Sequence, residues 1–178
     1  MTIQPFETTQ PVLGAGVFVH DTALVVGDVR IGDHSSVWPF TIARGDVNAI
    51  SIGTHTNIQD NSVLHVTHDG PYNPGGYALH IGNHVTVGHR VILHGCRIGN
   101  NCLIGMGATV MDGAVLEDNI LLGAGSLVTP NKTLESGYLW VGAPVKRIRA
   151  LTDQEIEALA YSAQHYVRLK DRYLAEQH

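Results

Sequence analysis

Histidine stands out in this sequence: the 178-residue chain carries 11 of them, as many as its lysines and arginines together. Imidazole is a common metal ligand and a proton carrier near neutral pH, so the spacing of these residues is the first question. His89 and His94 lie five apart in HRVILH, and His65 ends the run Val63-Leu64-His65. One pair at a given spacing means little among so many, since His84 and His89 are also five apart. Phase within a longer repeat separates them.

That repeat has a period of six. Val19, Val25, Ile31, Val37 and Ala43 open it; Ile52, Ile58 and Leu64 follow after a slip. After a longer interruption come Ile81, Val87 and Leu93, then Ile98, Ile104, Val110, Leu116, Leu122 and Val128. Glycine often follows at once, as in Ile52-Gly53 and Ile98-Gly99, and the step from Leu93 to Ile98 is five. Neither a helix nor a hairpin sheet needs such a period, whereas a triangular coil does. Each hexad supplies a short strand and a corner, the aliphatic side chain points inward, and three hexads close one turn. Small and Asn, Asp or Gly residues supply the corners, and successive coils stack about 4.8 Å apart. An antiparallel β protein would instead show period-two alternation and hairpin signals.

In this frame His65 follows the inward Leu64 and His94 follows the inward Leu93, so both hold one offset and stack on one edge in neighbouring coils. His89 comes one hexad earlier, about one face around the triangle. A single ion within about 2.1 Å of all three is hard to build inside one chain and simple if His89 comes from an adjacent subunit of a trimer. The bland alternative is three surface histidines on β-helix corners, and that reading is preferred for His20, His34, His55, His80, His84, His165 and His178.

The remaining segments frame the repeat. HVTHDGPYNPGGYALH, between Leu64 and Ile81, reads as a loop ejected from the coil. The repeat ends near Val141 in VGAP, and Thr152 with Glu155 forms a capping box. Ile156, Leu159, Ala160, Ala163, Val167 and Leu174 then mark one face of an amphipathic helix from about Asp153 to Glu176. One domain is expected over residues 1–178: an all-β solenoid at about 12–148 and a C-terminal α-helix at about 152–176. The helix should pack back along the prism.

The 20 glycines and few aromatics fit many short turns. A net charge of −5 without a basic block argues against a nucleic-acid or anionic-membrane partner. No stretch approaches the roughly 20 apolar residues of a membrane span. MTIQPFETTQPVL lacks a basic start and apolar run, so no signal peptide is expected and a cytoplasmic location is. Cys96 and Cys102 fit no CxxC motif and read as reduced, packed thiols.

Four motifs carry a resemblance: Arg44-Gly45-Asp46, Asn57-Ile58-Gln59-Asp60, Val63-Leu64-His65, and Val87-Gly88-His89 with His94-Gly95. In order and spacing they resemble the γ-class carbonic anhydrases, more narrowly the short bacterial γ-carbonic-anhydrase-like proteins, over about Val17 to Tyr173. The hexad pattern likewise resembles the left-handed parallel β-helix, from which the handedness is taken. The resemblance implies a homotrimer with metal sites between subunits, bound by His65 and His94 of one protomer and His89 of the next. Zn2+ is usual in the family, with Fe2+ or Co2+ able to substitute. It further implies an intersubunit ion pair of Arg44 with Asp46, Gln59 hydrogen-bonded to metal-bound solvent, and Asp60 setting its surroundings. Tyr166 is matched to a pocket-lining tyrosine on the helix. Architecture alone is an equal reading for Arg44, Asp46 and Asp60, and packing alone for Tyr166. The implied reaction is reversible hydration of CO2 to bicarbonate. Three neutral imidazoles let a divalent ion lower the pKa of bound water from about 15.7 to about 7, making hydroxide available.

The chain departs from the archaeal type at two acidic positions that assist proton handling. Val47 follows Arg-Gly-Asp where a glutamate is usual, and His68 stands three residues after His65 in place of another. With an ordinary pKa near 6.5, His68 is the candidate substitute shuttle. Two other functions compete. A hexapeptide-repeat acyltransferase using acyl-CoA would share the fold, and Val141-Gly142-Ala143-Pro144-Val145-Lys146 resembles the strand end that meets CoA there. Such an enzyme wants one catalytic histidine as general base and has no use for three that converge. The other is a non-catalytic trimer that holds a metal or small ligand.

Overall fold

In a computed structural model that describes residues 2–176, the inward aliphatic positions are buried, Val19 alone being half-buried. Met1, Gln177 and His178 lie outside the described residues. The buried positions stack in three columns because the strands pair in parallel, with inward residues as register partners. The first face carries Val25, Ala43, Leu64, Leu93, Val110 and Val128. The second carries Ile31, Ile52, Ile81, Ile98, Leu116 and Leu134. The third carries Val19, Val37, Ile58, Val87, Ile104, Leu122 and Trp140. These columns form one continuous core inside a left-handed parallel β-helix.

The N-terminal end differs from the sequence reading, which began the solenoid at about residue 12, and the C-terminal end agrees with it. The prism starts by Ile3–Gln4, which pairs with Leu24–Ile31, and the hexads run past Val128 through Leu134 to Trp140. Val145–Ala150 then turns back antiparallel on Tyr138–Gly142, closing the last coil where VGAP ends the repeat.

All irregularity in length falls on one edge. From third to first face, and from second to third, inward residues are always six apart. From first to second the steps are six, nine, seventeen, five, six and six. The nine spans Ala43 to Ile52 inside the long strand Ile42–Ile52, and the seventeen holds the ejected segment, a small hairpin closed by the Thr67–Tyr77 bridge. Two strict edges keep the columns in register, so the third is free to vary.

At the edge between second and third faces, corner residues take a left-handed backbone: His34, His55, His84, Asn101 and Asn119 have φ between 52° and 59°. This conformation is uncommon outside glycine, and Asn, Asp and His are the residues enriched there. Stacked corners make a ladder of rings, with centroids 5.2 Å apart for His34–His55 and 4.9 Å for His55–His84. The bland reading of these histidines as corner residues is what the fold shows.

The helix α1 (Asp153–Glu176) starts at the capping box. The Glu155 amide donates to Thr152 Oγ1 at 3.2 Å, and Glu155 Oε2 accepts from the Thr152 amide at 2.9 Å. It lies on the third face, against Ser36–Val37, Asn57–Ile58 and Thr86–Val87. Leu159, Ala163 and Lys170 are its buried residues. Ala160, assigned to the buried face from the sequence, is exposed, because the contact stripe turns through Ser162 and Tyr166 instead. Ser162 Oγ lies 3.1 Å from Thr86 Oγ1 of the strand beneath. No helix among the described residues is long and apolar enough to cross a membrane.

Two predictions follow from burial. Desolvation holds the His55 ring below its ordinary 6.5, His84, His34 and Lys170 act in the same sense, and Asp33 opposes. Between that lowered value and 6.5 the unfolded chain binds a proton that the folded chain does not, so stability falls as pH drops through the window. The unfolding temperature should decline on acidification below 6.5, and His55→Asn, which suits the left-handed corner, should shrink the decline; an equal decline in both proteins would refute the assignment. Burial also raises the Cys96 thiol and pushes Cys102 up to about 12. Both should resist a thiol reagent until the chain is unfolded.

Candidate metal centre

Parallel register decides which histidines meet. His65 and His94 each follow an inward leucine, and they are direct partners across Val63–His65 and Ile92–His94. Their ring centroids are 5.0 Å apart, with His65 Nδ1 3.0 Å from His94 Nε2. A carboxylate stands at each outer end. Asp46 Oδ1 is 3.1 Å from His65 Nε2, and Asp112 Oδ1 is 2.6 Å from His94 Nδ1. The series Asp46, His65, His94, Asp112 thus climbs the irregular edge of the prism.

The protons of this series do not balance without added positive charge. A carboxylate only accepts, so His94 gives it the Nδ1 hydrogen and keeps a lone pair on Nε2. Satisfying both His65 contacts would then require hydrogens on both of its nitrogens, an imidazolium. Burial works against that: desolvation lowers the His65 pKa, outweighing the Asp46 hydrogen bond that would raise it. Burial pushes the Asp46 carboxyl up, but hydrogen bonds from Arg44 and His65 outweigh it and hold it below the usual value. Neutral imidazoles flanked by ionised carboxylates are what a divalent cation binds, the carboxylates fixing tautomer and ring orientation. The residues fit a metal ion.

His89 is elsewhere. It lies two residues past the inward Val87, on the regular edge between third and first faces, with its Nδ1 3.0 Å from Asp60 Oδ2. Asp60 holds the same offset after Ile58 one coil below. This anchoring leaves Nε2 of His89 as its bare nitrogen, as in His94. Among the described residues, no three His, Cys, Asp or Glu side chains are grouped to hold one ion. One chain brings two of the three predicted ligands together and sets the third at the opposite edge of the first face.

The other predicted residues divide between these edges. Arg44 pairs with Asp46 within the chain. Gln59 is buried and donates its Nε2 hydrogen to Asn57 Oδ1 at 3.2 Å. Tyr166 packs edge-on against Trp38 at 5.6 Å. Its hydroxyl is raised by burial and then by the nearby charge of Asp60, so the tyrosine borders the His89 edge. His68 is exposed on the hairpin three residues beyond His65. Sequence reasoning missed Asp112. Its position two residues past the inward Val110 is one that Asp33, Asp60 and Asp118 also occupy, so phase could not single it out.

The three faces are finished differently outside. The third lies under α1, and the second shows Arg30, Ser51, His80 and Arg97 to solvent. The first shows Ile42, Val63 and Ile92, each about 40% exposed, flanked by Phe40 and Met106 on the His89 edge and Met111 on the other. A cavity of about 530 Å³ on this side is lined by His89, Arg90, Ile92, Met106, Gly107 and Thr109.

Stacked hexads closed by one C-terminal helix define a class of β-helical protein, and known proteins resemble this chain. The sequence profile described as "Bacterial transferase hexapeptide (six repeats)" matches residues 79–110 and 95–130. The chain is 54% identical to "Protein YrdA" of Escherichia coli (strain K12), over 97% of this chain and 94% of that one. It is 41% identical to "Carbonic anhydrase" of Geobacillus kaustophilus, over 98% and 92%. It is 45% identical to "Gamma carbonic anhydrase 2, mitochondrial" of Arabidopsis thaliana, over 93% of this chain and 59% of that longer one. A solved structure titled as a hexapeptide transferase family protein from Anaplasma phagocytophilum superposes with a TM-score of 0.88 at 42% identity, covering 97% and 98%. The chain belongs to the gamma carbonic anhydrase family.

The carboxylate anchors make a direct prediction. In metal-free protein at pH 7.5, long-range proton–nitrogen correlations should show His89 and His94 protonated on Nδ1 and bare on Nε2. The opposite tautomer at either residue would mean that its carboxylate does not orient it.

Proposed function

We propose that the protein is a metal-dependent carbonic anhydrase that interconverts CO2 and bicarbonate as a homotrimer, with a divalent centre at each subunit interface. Each centre takes His65 and His94 from one protomer and His89 from the next. The observation that carries this reading is the first face: it is apolar, uncovered, and edged on one side by the His65–His94 pair and on the other by His89. Three copies arranged with these faces inward bring opposite edges together and bury the exposed aliphatic stripe. Burial of such area stabilises by about 25 cal/mol per Å².

Zinc is the proposed ion, with iron or cobalt as substitutes; bound there, it supplies water acidified to near neutral pH, the nucleophile for CO2. The chain's own residues do the rest. Asp60 fixes the His89 ring, and Asp46, itself held by Arg44, lies beside His65 as a fixed acceptor. Gln59, buried with its amide restrained by Asn57, is the proposed hydrogen-bond partner of substrate or solvent. Tyr166, with its hydroxyl kept protonated by burial, is the proposed pocket tyrosine on the helix side. His68, exposed on the hairpin, is the proposed proton carrier in place of the two missing glutamates, and Ile92 and Met106 offer apolar surface beside His89 to nonpolar CO2.

Acyl transfer from CoA needs only one histidine as general base. The stacked pair of His65 and His94, each flanked by a carboxylate, has no use in such an enzyme and favours the metal reading.

Mixing subunits tests the proposal. His89→Ala and His94→Ala should each fold as trimers, bind no zinc and lose CO2 hydration in stopped flow. Refolding the two variants together should restore metal and activity, because mixed trimers regain one interface with all three imidazoles. Zinc retained by either single variant, or no recovery on mixing, would overturn the intersubunit centre. Full zinc occupancy of the unmodified trimer without hydration would leave a metal-holding scaffold. For proton transfer, His68→Ala should slow hydration in dilute buffer and be rescued by added imidazole; unchanged rates would remove His68 from that role.

A further inference from the structure

Both oxygens of Asp112 are committed, in different directions. Oδ1 accepts from His94 Nδ1 at 2.6 Å, and Oδ2 accepts from the Thr67 hydroxyl at 2.8 Å. Thr67 closes the base of the ejected hairpin: its amide donates to the Tyr77 carbonyl and the Tyr77 amide donates to its carbonyl, each at 3.0 Å. Asn48 Nδ2 also donates to the Thr67 carbonyl, at 3.1 Å. Residues 18 and 45 positions from Asp112 in sequence thus meet on one carboxylate.

The charge setting of this group is distinctive. Asp46, at the other end of the histidine pair, has Arg44 as a permanent cationic partner. Among the described residues Asp112 has no ion-pair partner except His94. Its negative charge therefore bears mainly on that imidazole, raising the basicity of the far nitrogen. The Thr67 hydroxyl fixes the plane of the carboxylate, so its aim at His94 depends on the docked hairpin.

We propose that Asp112 is a positioning residue of the metal centre, holding His94 with Nε2 presented to the ion, and that Thr67 couples this hold to docking of hairpin 67–77. The proposal rests on the metal-centre reading above. Thr67 acts only through Asp112, so the two side chains form one device, and the hairpin serves as a brace for a ligand it does not itself supply.

The test is titration of the chelator-stripped, full-length trimer with Co2+ and with Zn2+ alone. It is read by the visible d–d bands of cobalt, by chelator competition, and by thermal unfolding of the metal-free forms. Asp112→Ala should weaken both ions about 10- to 100-fold and alter the cobalt bands. Asp112→Asn, which keeps an acceptor and loses the charge, should recover part of that loss. Thr67→Val, nearly the same shape, should weaken binding roughly fivefold, the scale of one hydrogen bond. Combined with Asp112→Ala it should add nothing, because coupled residues are not additive. Unchanged affinity and cobalt bands in Asp112→Ala would overturn the proposal, as would a Thr67→Val effect that persists in full beside it. If Asp112→Ala fails to fold, Thr67→Val and Asp112→Asn carry the test, and unchanged bands and affinities in both would overturn it. Unmodified trimer that takes up neither ion would sink the metal-centre reading itself, an outcome distinct from normal uptake with indifferent variants.

Discussion

Backbone hydrogen bonding between successive coils, in parallel and in register, is the constraint on which everything else in this molecule depends. Each strand is only two or three residues long over most of the prism, so no strand is stable alone. Stacking supplies both the ladder partners and the apolar column, and the columns hold only if successive coils keep phase. Two edges of strict six-residue steps enforce that phase. They leave the third edge free to carry a three-residue insertion, a hairpin and a shortened step without moving a single inward side chain off its column.

The candidate centre uses that freedom. Asp46 stands in the insertion, His65 at the foot of the hairpin and His94 at the shortened step, so the variable edge becomes a wall of side chains at a fixed coil-to-coil spacing. The imidazole separation is therefore a property of backbone stacking and owes little to local sequence. Carboxylates then set the electrostatics. Asp46 is balanced by Arg44, whereas Asp112 and Asp60 act on His94 and His89 and leave one nitrogen bare on each ring. A half-buried His65 between Asp46 and His94 completes a donor set short of positive charge.

The three outer surfaces differ in what covers them. The helix covers the third face, the second carries mostly polar side chains beside Val12 and Val115, and the first is left aliphatic between two histidine-bearing edges. A lone prism would expose that stripe to water and keep its ligands on opposite sides. In the proposed trimer a single geometry would answer both problems, burying the stripe and joining the two edges.

The sequence alone determined the solenoid, the positions of its core residues, the ejected loop, the capped helix and the pairing of His65 with His94. All of these follow from period and phase, which are one-dimensional quantities. It also placed His89 on a different edge, for the same reason. It misjudged Ala160, because a helix face read by spacing does not say where the contact stripe runs along its support. Only the tertiary structure decided which edge absorbs every irregularity, which face stays bare, and that Asp112 serves His94. Those facts depend on side chains reaching between coils 18 and 45 residues apart, and many aspartates share the phase of Asp112. Spacing says which residues share a column, and only packing says which of them touch.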